Sequence, residues 1–478
     1  MVKAVRGRPG RVGTLAVVVV GVLVLAAGAV VGLDASGRVS VGLFDDPPAT
    51  PTASPSPSPT PSPAGPVLAP AGGSAGGPAD LADRLLADPD LGGDAGAYVV
   101  DVATGEVLLD QDAGGARTPA SVAKLATAAA ALVALGPTTR LETRTVTGAQ
   151  PGEVVLVGGG DTTLTVPAPD ATDYPAPASL TELADATAAV LRLSGIVDIA
   201  VRVDDTLFSG PAVSPDWRPG YVGAGVVSPV SSLTLDGGRV RPGRNTRVTD
   251  PAVNAGTRLA SLLAARGFTV RGEVTRAVAG PDAEALGSVS SPEMSSLVET
   301  MLDTSDNDLA EALARLVAAR RGMPATFEGA TSAITEVLTE LAVPTAGLRL
   351  LDGSGLARGS TIAPQTLGDL LTLAANDANP RLRPLVTGLP VAAFSGTLAE
   401  RFGPDGARDG AGVVRAKTGT LTGVAALAGV VARRGEKSDK SVRLLAFALL
   451  TDDVAAGETL AARAALDRIA AALAGPDG

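Results

Sequence analysis

Neither cysteine nor histidine occurs among the 478 residues, and the two absences together exclude most of the common hydrolytic chemistries. Without cysteine there is no thiolate nucleophile and no disulfide framework, so cysteine usage does not report a redox compartment. Without histidine a Ser-His-Asp triad cannot form, and with both residues missing no His- or Cys-ligated metal site exists. No metal and no cofactor is therefore expected. Aromatic residues make up only 2% of the chain, so its core has to be built from Ala, Val and Leu. Basic residues are outnumbered, 39 against 50 acidic, for a formal net charge of -11, which argues against a nucleic-acid partner. Hydrophobic residues at 45% leave ample material for two or three domains.

The N-terminus carries Lys3, Arg6, Arg8 and Arg11 ahead of an uncharged, mostly apolar run over residues 14–33. Such a run spans about 30 Å as a helix, enough to cross a bilayer once with the basic flank inside. Residues 1–33 are thus expected to be a membrane anchor or a signal peptide, the small residues Ala27-Gly28-Ala29 offering a cleavage pattern for the second. Both place the remainder outside the cytoplasm. Residues 34–78 form a Pro/Ser/Thr/Gly-rich linker: the proline-dense part at 47–66 favours an extended, unpacked backbone that acts as a stalk. Helical spacing at 79–86 marks the start of the folded part.

A hairpin expected at 97–109 leads to Pro119-Ala120-Ser121-Val122-Ala123-Lys124, where a loop enters an alanine-rich helix that stops at Gly136-Pro137. Ser121 and Lys124 are one turn apart on one face, which brings a hydroxyl beside an amine. In a chain without His or Cys, acyl transfer has to run on serine, with lysine or a carboxylate as base. The helix is apolar all round, so it is expected to be buried, and a buried lysine asks for a purpose. Between 146 and 290 the texture changes to short strands at 154–157 and 199–203 and helices at 180–193 and 255–265, read as an inserted domain. Its Trp217 is expected in that domain's core. Helical spacing resumes at Met294, breaks at Ser305-Asp306-Asn307, and much later a strand ends in Lys417-Thr418-Gly419. Gly419 leaves room for close approach to the strand.

Ser-x-x-Lys, Ser-Asp-Asn and Lys-Thr-Gly in this order are the set found in penicillin-binding proteins and serine β-lactamases. With Gly158-Gly159-Gly160-Asp161, Asp352-Gly353-Ser354-Gly355-Leu356, Ser395-Gly396-Thr397-Leu398, Arg401-Phe402 and the extended Ala416 to Leu421 run, residues 79 to about 475 resemble the class C, type-4 penicillin-binding proteins, the D-alanyl-D-alanine carboxypeptidase/endopeptidase family. The resemblance implies an α/β fold: an antiparallel sheet flanked by helices, as in penicillin-binding proteins and serine β-lactamases. The catalytic domain would comprise 79–145 and 291–478, with 146–290 inserted. That insertion is short for a family that often nests two extra domains there. Threonine 162 stands where relatives often have proline, and Ala357 where they have serine.

The resemblance also implies roles. Ser121 is the expected nucleophile and Lys124 its base, with a proton affinity lowered by burial and by a positive Lys417 nearby. Ser305 would pass a proton to the departing nitrogen and Asn307 would hold the substrate amide and orient Lys124. The N–H groups of Ser121 and Thr420 would form the oxyanion hole, while Lys417, Thr418 and Thr420, with Gly419 between them, receive the substrate's terminal carboxylate. Asp161 is a candidate for the free amine of the stem peptide's third residue, closure of a turn being the alternative. Arg358 is a candidate for added positive charge near that carboxylate, a plain surface arginine being the alternative. The implied partners are peptidoglycan stem peptides ending in D-Ala-D-Ala, β-lactams as covalent inhibitors, and the membrane through the N-terminal segment. A serine β-lactamase and a non-catalytic penicillin-sensing wall-binding module are the rival readings, and the balance of carboxypeptidase and endopeptidase action stays open.

Overall fold

The computed structural model describes residues 88–403, 407–434, 442–455 and 457–474, all within the unit Pro66–Gly478. The apolar run at 14–33, the proline-rich stretch and the expected helix at 79–86 lie outside the described residues. Among the described residues no helix is long and apolar enough to cross a membrane.

The chain opens with the hairpin β1 (Asp94–Asp101) and β2 (Val107–Gln111), close to the expected one. A 3-10 turn over Ala120–Ala123 runs into helix α1 (Lys124–Ala134). Its alanines at 128–131 are fully buried, and their small side chains let neighbouring helices close around it. The chain then leaves for a second sheet built from β3 (Arg140–Thr147), β4 (Glu153–Val157), β5 (Asp198–Asp204), β6 (Thr269–Val270), β7 (Thr275–Arg276) and β8 (Ala285–Glu293). Two helices, α2 (Leu180–Leu193) and α3 (Pro251–Ala265), cover it over their own apolar core. This sheet runs from Arg140 to Glu293, wider at both ends than 146–290, because the strands that enter and leave the insertion pair with each other, β3 against β8.

Helices α4 (Met294–Thr304), α5 (Asn307–Arg320), α6 (Phe327–Glu340), α7 (Pro364–Ala375) and α8 (Arg383–Thr387) follow and surround α1. The last strands, β9 (Val414–Leu421), β10 (Val424–Arg434) and β11 (Val442–Asp452), join the first hairpin in an antiparallel sheet of order β2-β1-β11-β10-β9. Both faces of β10 are buried, and its successive side chains alternate between them. Ala426, Ala428 and Val430 face the helical lobe around α1, whereas Ala425, Leu427 and Val431 face α9 (Thr459–Ala474) on the other side. The fold is thus an α/β sheet flanked by helices, with β9 at its edge, and the turn that opens α1 lies against that strand.

Candidate active site

The helix that carries Lys124 begins in a strained turn. Ala120 adopts φ +46° without being glycine, a conformation that costs roughly 1–2 kcal/mol. Two glycines permit the turn to sit where it does. A Cβ on Gly355 would stand 1.9 Å from the Ala120 carbonyl oxygen, and one on Gly419 would stand 2.6 Å from that of Pro119. The Ser121 turn is therefore wedged between the 352–357 segment and strand β9, which is the close approach expected of Gly419.

Lys124 is fully buried. Its Nζ lies 3.0 Å from Ser121 Oγ, 2.7 Å from Asn307 Oδ1 and 2.8 Å from the Ser354 carbonyl oxygen. The last two only accept hydrogen bonds, so they take two N–H groups from the lysine. A neutral amine then has one lone pair left, aimed at the Ser121 hydroxyl, which is the arrangement of a base on its nucleophile. Burial pushes Lys124 down to about 8, against the pull of Asp352, Glu311, Asp306 and Asp308. The carboxylates around it are a feature the expected lysine–lysine repulsion did not include.

Lys417 is equally buried, and its Nζ donates to the Thr418 carbonyl at 3.0 Å. Burial, then Lys124 and Arg401, depress it well below the ordinary lysine value, with Asp303 opposing. The pair thus resists carrying two charges, so a positive Lys417 goes with a neutral Lys124. More acidic neighbours surround Lys124 than Lys417, so in the empty site the shared proton favours Lys124.

Ser305 occupies the link between α4 and α5 with φ +58°, again left-handed and not glycine. That kink lets Asp306 cap α5 by accepting from the Leu309 N–H at 2.9 Å, and turns Asn307 toward Lys124. The other side of the Asn307 amide donates to the Val226 carbonyl at 2.9 Å, a residue of the insertion. Asp303, just before the kink, accepts from Ser395 Oγ at 3.0 Å, and Thr418 and Thr397 hydroxyls meet at 2.9 Å. The Ser395–Thr397 turn so ties the serine hinge to β9.

Along β9, the Ala416 N–H donates to Pro390 and the Val414 carbonyl accepts from Ala392, both off the free edge. Strand parity therefore turns the Thr418 and Thr420 backbone groups the same way, and there no strand among the described residues covers them. Thr420 is exposed. Ser121 stands in the first helical turn, whose N–H groups have no helical carbonyl to take them. Arg358 is exposed and its guanidinium donates to the Thr422 carbonyl, in the turn after β9, which seats it at the rim of the group.

Asp161 lies elsewhere. Only 2% exposed, its Oδ1 accepts from the Thr163 N–H at 2.8 Å and hydroxyl at 2.6 Å, and burial pushes the carboxyl up to about 6. It shares no hydrogen bond with Ser121, Lys124, Asn307 or Lys417, so the turn-closing alternative is the arrangement observed. Packing of Gly160 against Leu316 seats this side chain inside the protein. Trp217 also departs from expectation: its ring meets Phe327 of α6 edge-on at 5.3 Å and its Nε1 donates to Asp352 at 2.7 Å. It belongs to the seam with the catalytic lobe. Glu311 was not anticipated at all, although an acidic residue four positions after Asn307 in an apolar helix face was a readable signal.

Compared with known proteins, the chain matches the D-Ala-D-Ala carboxypeptidase 3 (S13) family over residues 79–245 and 242–473. It is 40% identical over 401 residues to carboxypeptidase DacB of Mycolicibacterium smegmatis, covering 81% of this chain and 82% of that one. It is 31% identical to a D-alanyl-D-alanine carboxypeptidase of an Actinomadura species, over 73% of this chain and 77% of the relative. Among solved structures, penicillin binding protein 4 of Haemophilus influenzae superposes with a TM-score of 0.65 at 23% identity, covering 83% of this chain and 98% of its own, a likeness of fold.

Proposed function

The chain belongs to the D-Ala-D-Ala carboxypeptidase 3 (S13) family, and from that membership we propose how its residues work as a serine-type D-alanyl-D-alanine carboxypeptidase. The observation that carries the reading is the three-way hold on Lys124 Nζ by Ser121, Asn307 and Ser354. Neutral Lys124 takes the Ser121 proton as Oγ attacks the carbonyl carbon of the penultimate D-alanine, forming the C–O bond. The negative oxygen of the tetrahedral intermediate is received by the N–H groups of Ser121 and Thr420, donors typically worth about 3 kcal/mol each. The C–N bond then breaks, and the proton held by Lys124 reaches the departing amine through Ser305. Water hydrolyses the ester by the reverse proton route and frees Ser121.

The substrate's terminal carboxylate is taken by Lys417, Thr418 and Thr420, with Arg358 at the rim. An anion at Lys417 favours the proton there, and the resulting ammonium favours neutral Lys124 by repulsion. Substrate binding in this way prepares the base. β-Lactams enter as acylating mimics of the same peptide, and the substrates are peptidoglycan stem peptides. We assign the enzyme to the outer side of the cytoplasmic membrane, a reading supported by the apolar run at 14–33 and the proline-rich stretch after it.

Intact-mass measurement after treatment with a penicillin tests the nucleophile. One adduct is expected, mapping to the Ser121 peptide, and an adduct of equal yield in Ser121→Ala would sink the assignment. Digestion of muropeptides followed by mass spectrometry separates release of free D-alanine from opening of cross-links.

A further inference from the structure

Glu311 lies one turn beyond Asn307 on α5 and is 1% exposed. Its Oε1 accepts from the Ser354 N–H at 2.9 Å and its Oε2 from the Gly353 N–H at 3.1 Å. The carbonyl of that same Ser354 is one of the three groups that hold Lys124 Nζ. On the opposite side the Gly353 carbonyl accepts from Thr127 Oγ1 at 2.7 Å, one turn along α1 from Lys124. Asp352 closes the strap, accepting from Trp217 Nε1 and from the N–H groups of Gly355 and Ala357, each within 2.8 Å. The hydrogen-bond partners of both carboxyl groups among the described residues are donors, the pattern that ionised carboxylates accept.

Holding a backbone strap needs only neutral acceptors. Two buried carboxylates cost several kcal/mol in desolvation, so they call for a compensating charge. Arg315, one turn past Glu311, lends its charge to Glu311, but its N–H groups are given to carbonyls of Ser209, Pro211 and Ala325 and it stacks over Phe327 at 4.5 Å, so it holds no part of the strap. The other cation facing the strap is Lys124.

We propose that Glu311 is the positioning residue of the base: through Gly353 and Ser354 it aims the carbonyl that holds Lys124 on Ser121, and its negative charge stabilises the ammonium that acylation creates there. The inference rests on Lys124 as the base. In that step the Ser121 O–H bond breaks, its electron pair forms the ester bond, and the proton makes a new N–H bond on Lys124, so positive charge appears beside Glu311 at the moment of reaction. This is the service that a buried carboxylate gives the imidazolium in a serine triad, here delivered through one peptide unit. The groups facing Lys124 are Asp306 at the cap of α5, Asp308 and Glu311 within it, Asp352 from the strap and Lys417 from β9. Burial and Asp352 push the Glu311 carboxyl upward, the hydrogen bonds from Ser354 and Gly353 and then Lys124 oppose them, and each of Glu311 and Lys124 favours the other's charged form.

The test is the pH dependence of acylation by a fluorescent penicillin, in the whole chain, for wild type, Glu311→Gln and Glu311→Asp, with thermal unfolding of each. Glu311→Gln keeps the shape and removes the charge, so Lys124 loses protons more readily. The acid limb is expected to move down by about one pH unit and the plateau to fall by up to about tenfold as the base weakens. Glu311→Asp keeps the charge on a shorter stem, so the limb should stay near its wild-type position while the rate falls. A folded Glu311→Gln variant with an unmoved limb would overturn the proposal, and so would failure of both variants to fold, which would assign Glu311 to the scaffold alone. Failure of the underlying reading looks different: Lys124→Arg would then acylate at the wild-type rate.

Discussion

Gly419→Ala isolates the geometry of the oxyanion hole from the chemistry of the lysines. The added Cβ would stand 2.6 Å from the Pro119 carbonyl oxygen and 3.3 Å from Ala120 Cβ, so β9 and the Ser121 turn have to part by about 0.8 Å to regain ordinary contact. The turn cannot retreat, because its other side rests on the Gly355 backbone, with no room there even for a Cβ. Strand β9 is an edge strand and yields instead, carrying the Thr420 N–H away from that of Ser121. A misplacement near 1 Å, or loss of one oxyanion donor, costs on the order of 100-fold in rate. Overpacking adds a stability loss of roughly 1–3 kcal/mol. Stopped-flow acylation by a fluorescent penicillin, alongside denaturant unfolding, reads both. The expected signature is a rate about 100-fold lower with an acid limb unmoved, since neither lysine changes. A folded Gly419→Ala protein acylating within threefold of wild type would refute the account of the wedge.

Wild-type acylation should rise with pH through about 8 and level off above it, because Lys124 acts when neutral and burial has brought it to that range; a rate independent of pH between 6 and 9 would contradict this. Lys124→Arg introduces a guanidinium that keeps its proton, so acylation should fall at least about 100-fold in the same assay. Lys417→Met removes the like charge that Lys124 meets once the penicillin's carboxylate draws a proton to Lys417, so the acid limb of the acylation step in the bound complex should move upward; an unmoved limb would show the two are not coupled. Trp217→Phe deletes the donor to a buried carboxylate and should destabilise by roughly 1–3 kcal/mol in urea unfolding, where a change below about 0.5 kcal/mol would deny the Asp352 contact its importance. A chain starting at Ala79 should keep full activity on a small D-Ala-D-Ala peptide, and a folded but inactive product would overturn the view of residues 1–78 as address and spacer.

Much of the fold was legible where local pattern decides. The helix expected at 180–193 is Leu180–Leu193, since Ser179 caps it by accepting from the Thr181 and Glu182 N–H groups and its apolar positions fall on one face. The break at Ser305 was visible because three polar residues interrupt an apolar helical pattern. Where two distant strands had to pair, as β3 with β8, no local cue marked the boundary, so the insertion came out narrower from the sequence than in the structure. Asp161 shows the same limit: its residue type fits both an amine and a turn, and packing of its neighbour Gly160 against α5 is what seated it inside.

By itself the sequence determined the chemistry. With His and Cys absent and Ser121 one helical turn from Lys124, the nucleophile and its base were confined to a few side chains, because reactivity depends on residue type and short spacing. Tertiary structure alone decided the electrostatics that make them work. Glu311, Asp352 and Trp217 come from α5, the 352–357 strap and the insertion, and they meet around Lys124 only after folding. A charge's energy depends on distance and burial: the apolar helix around Lys124 announced its burial, whereas the four carboxylates that oppose burial and leave the lysine at about 8 are brought to it only by the fold.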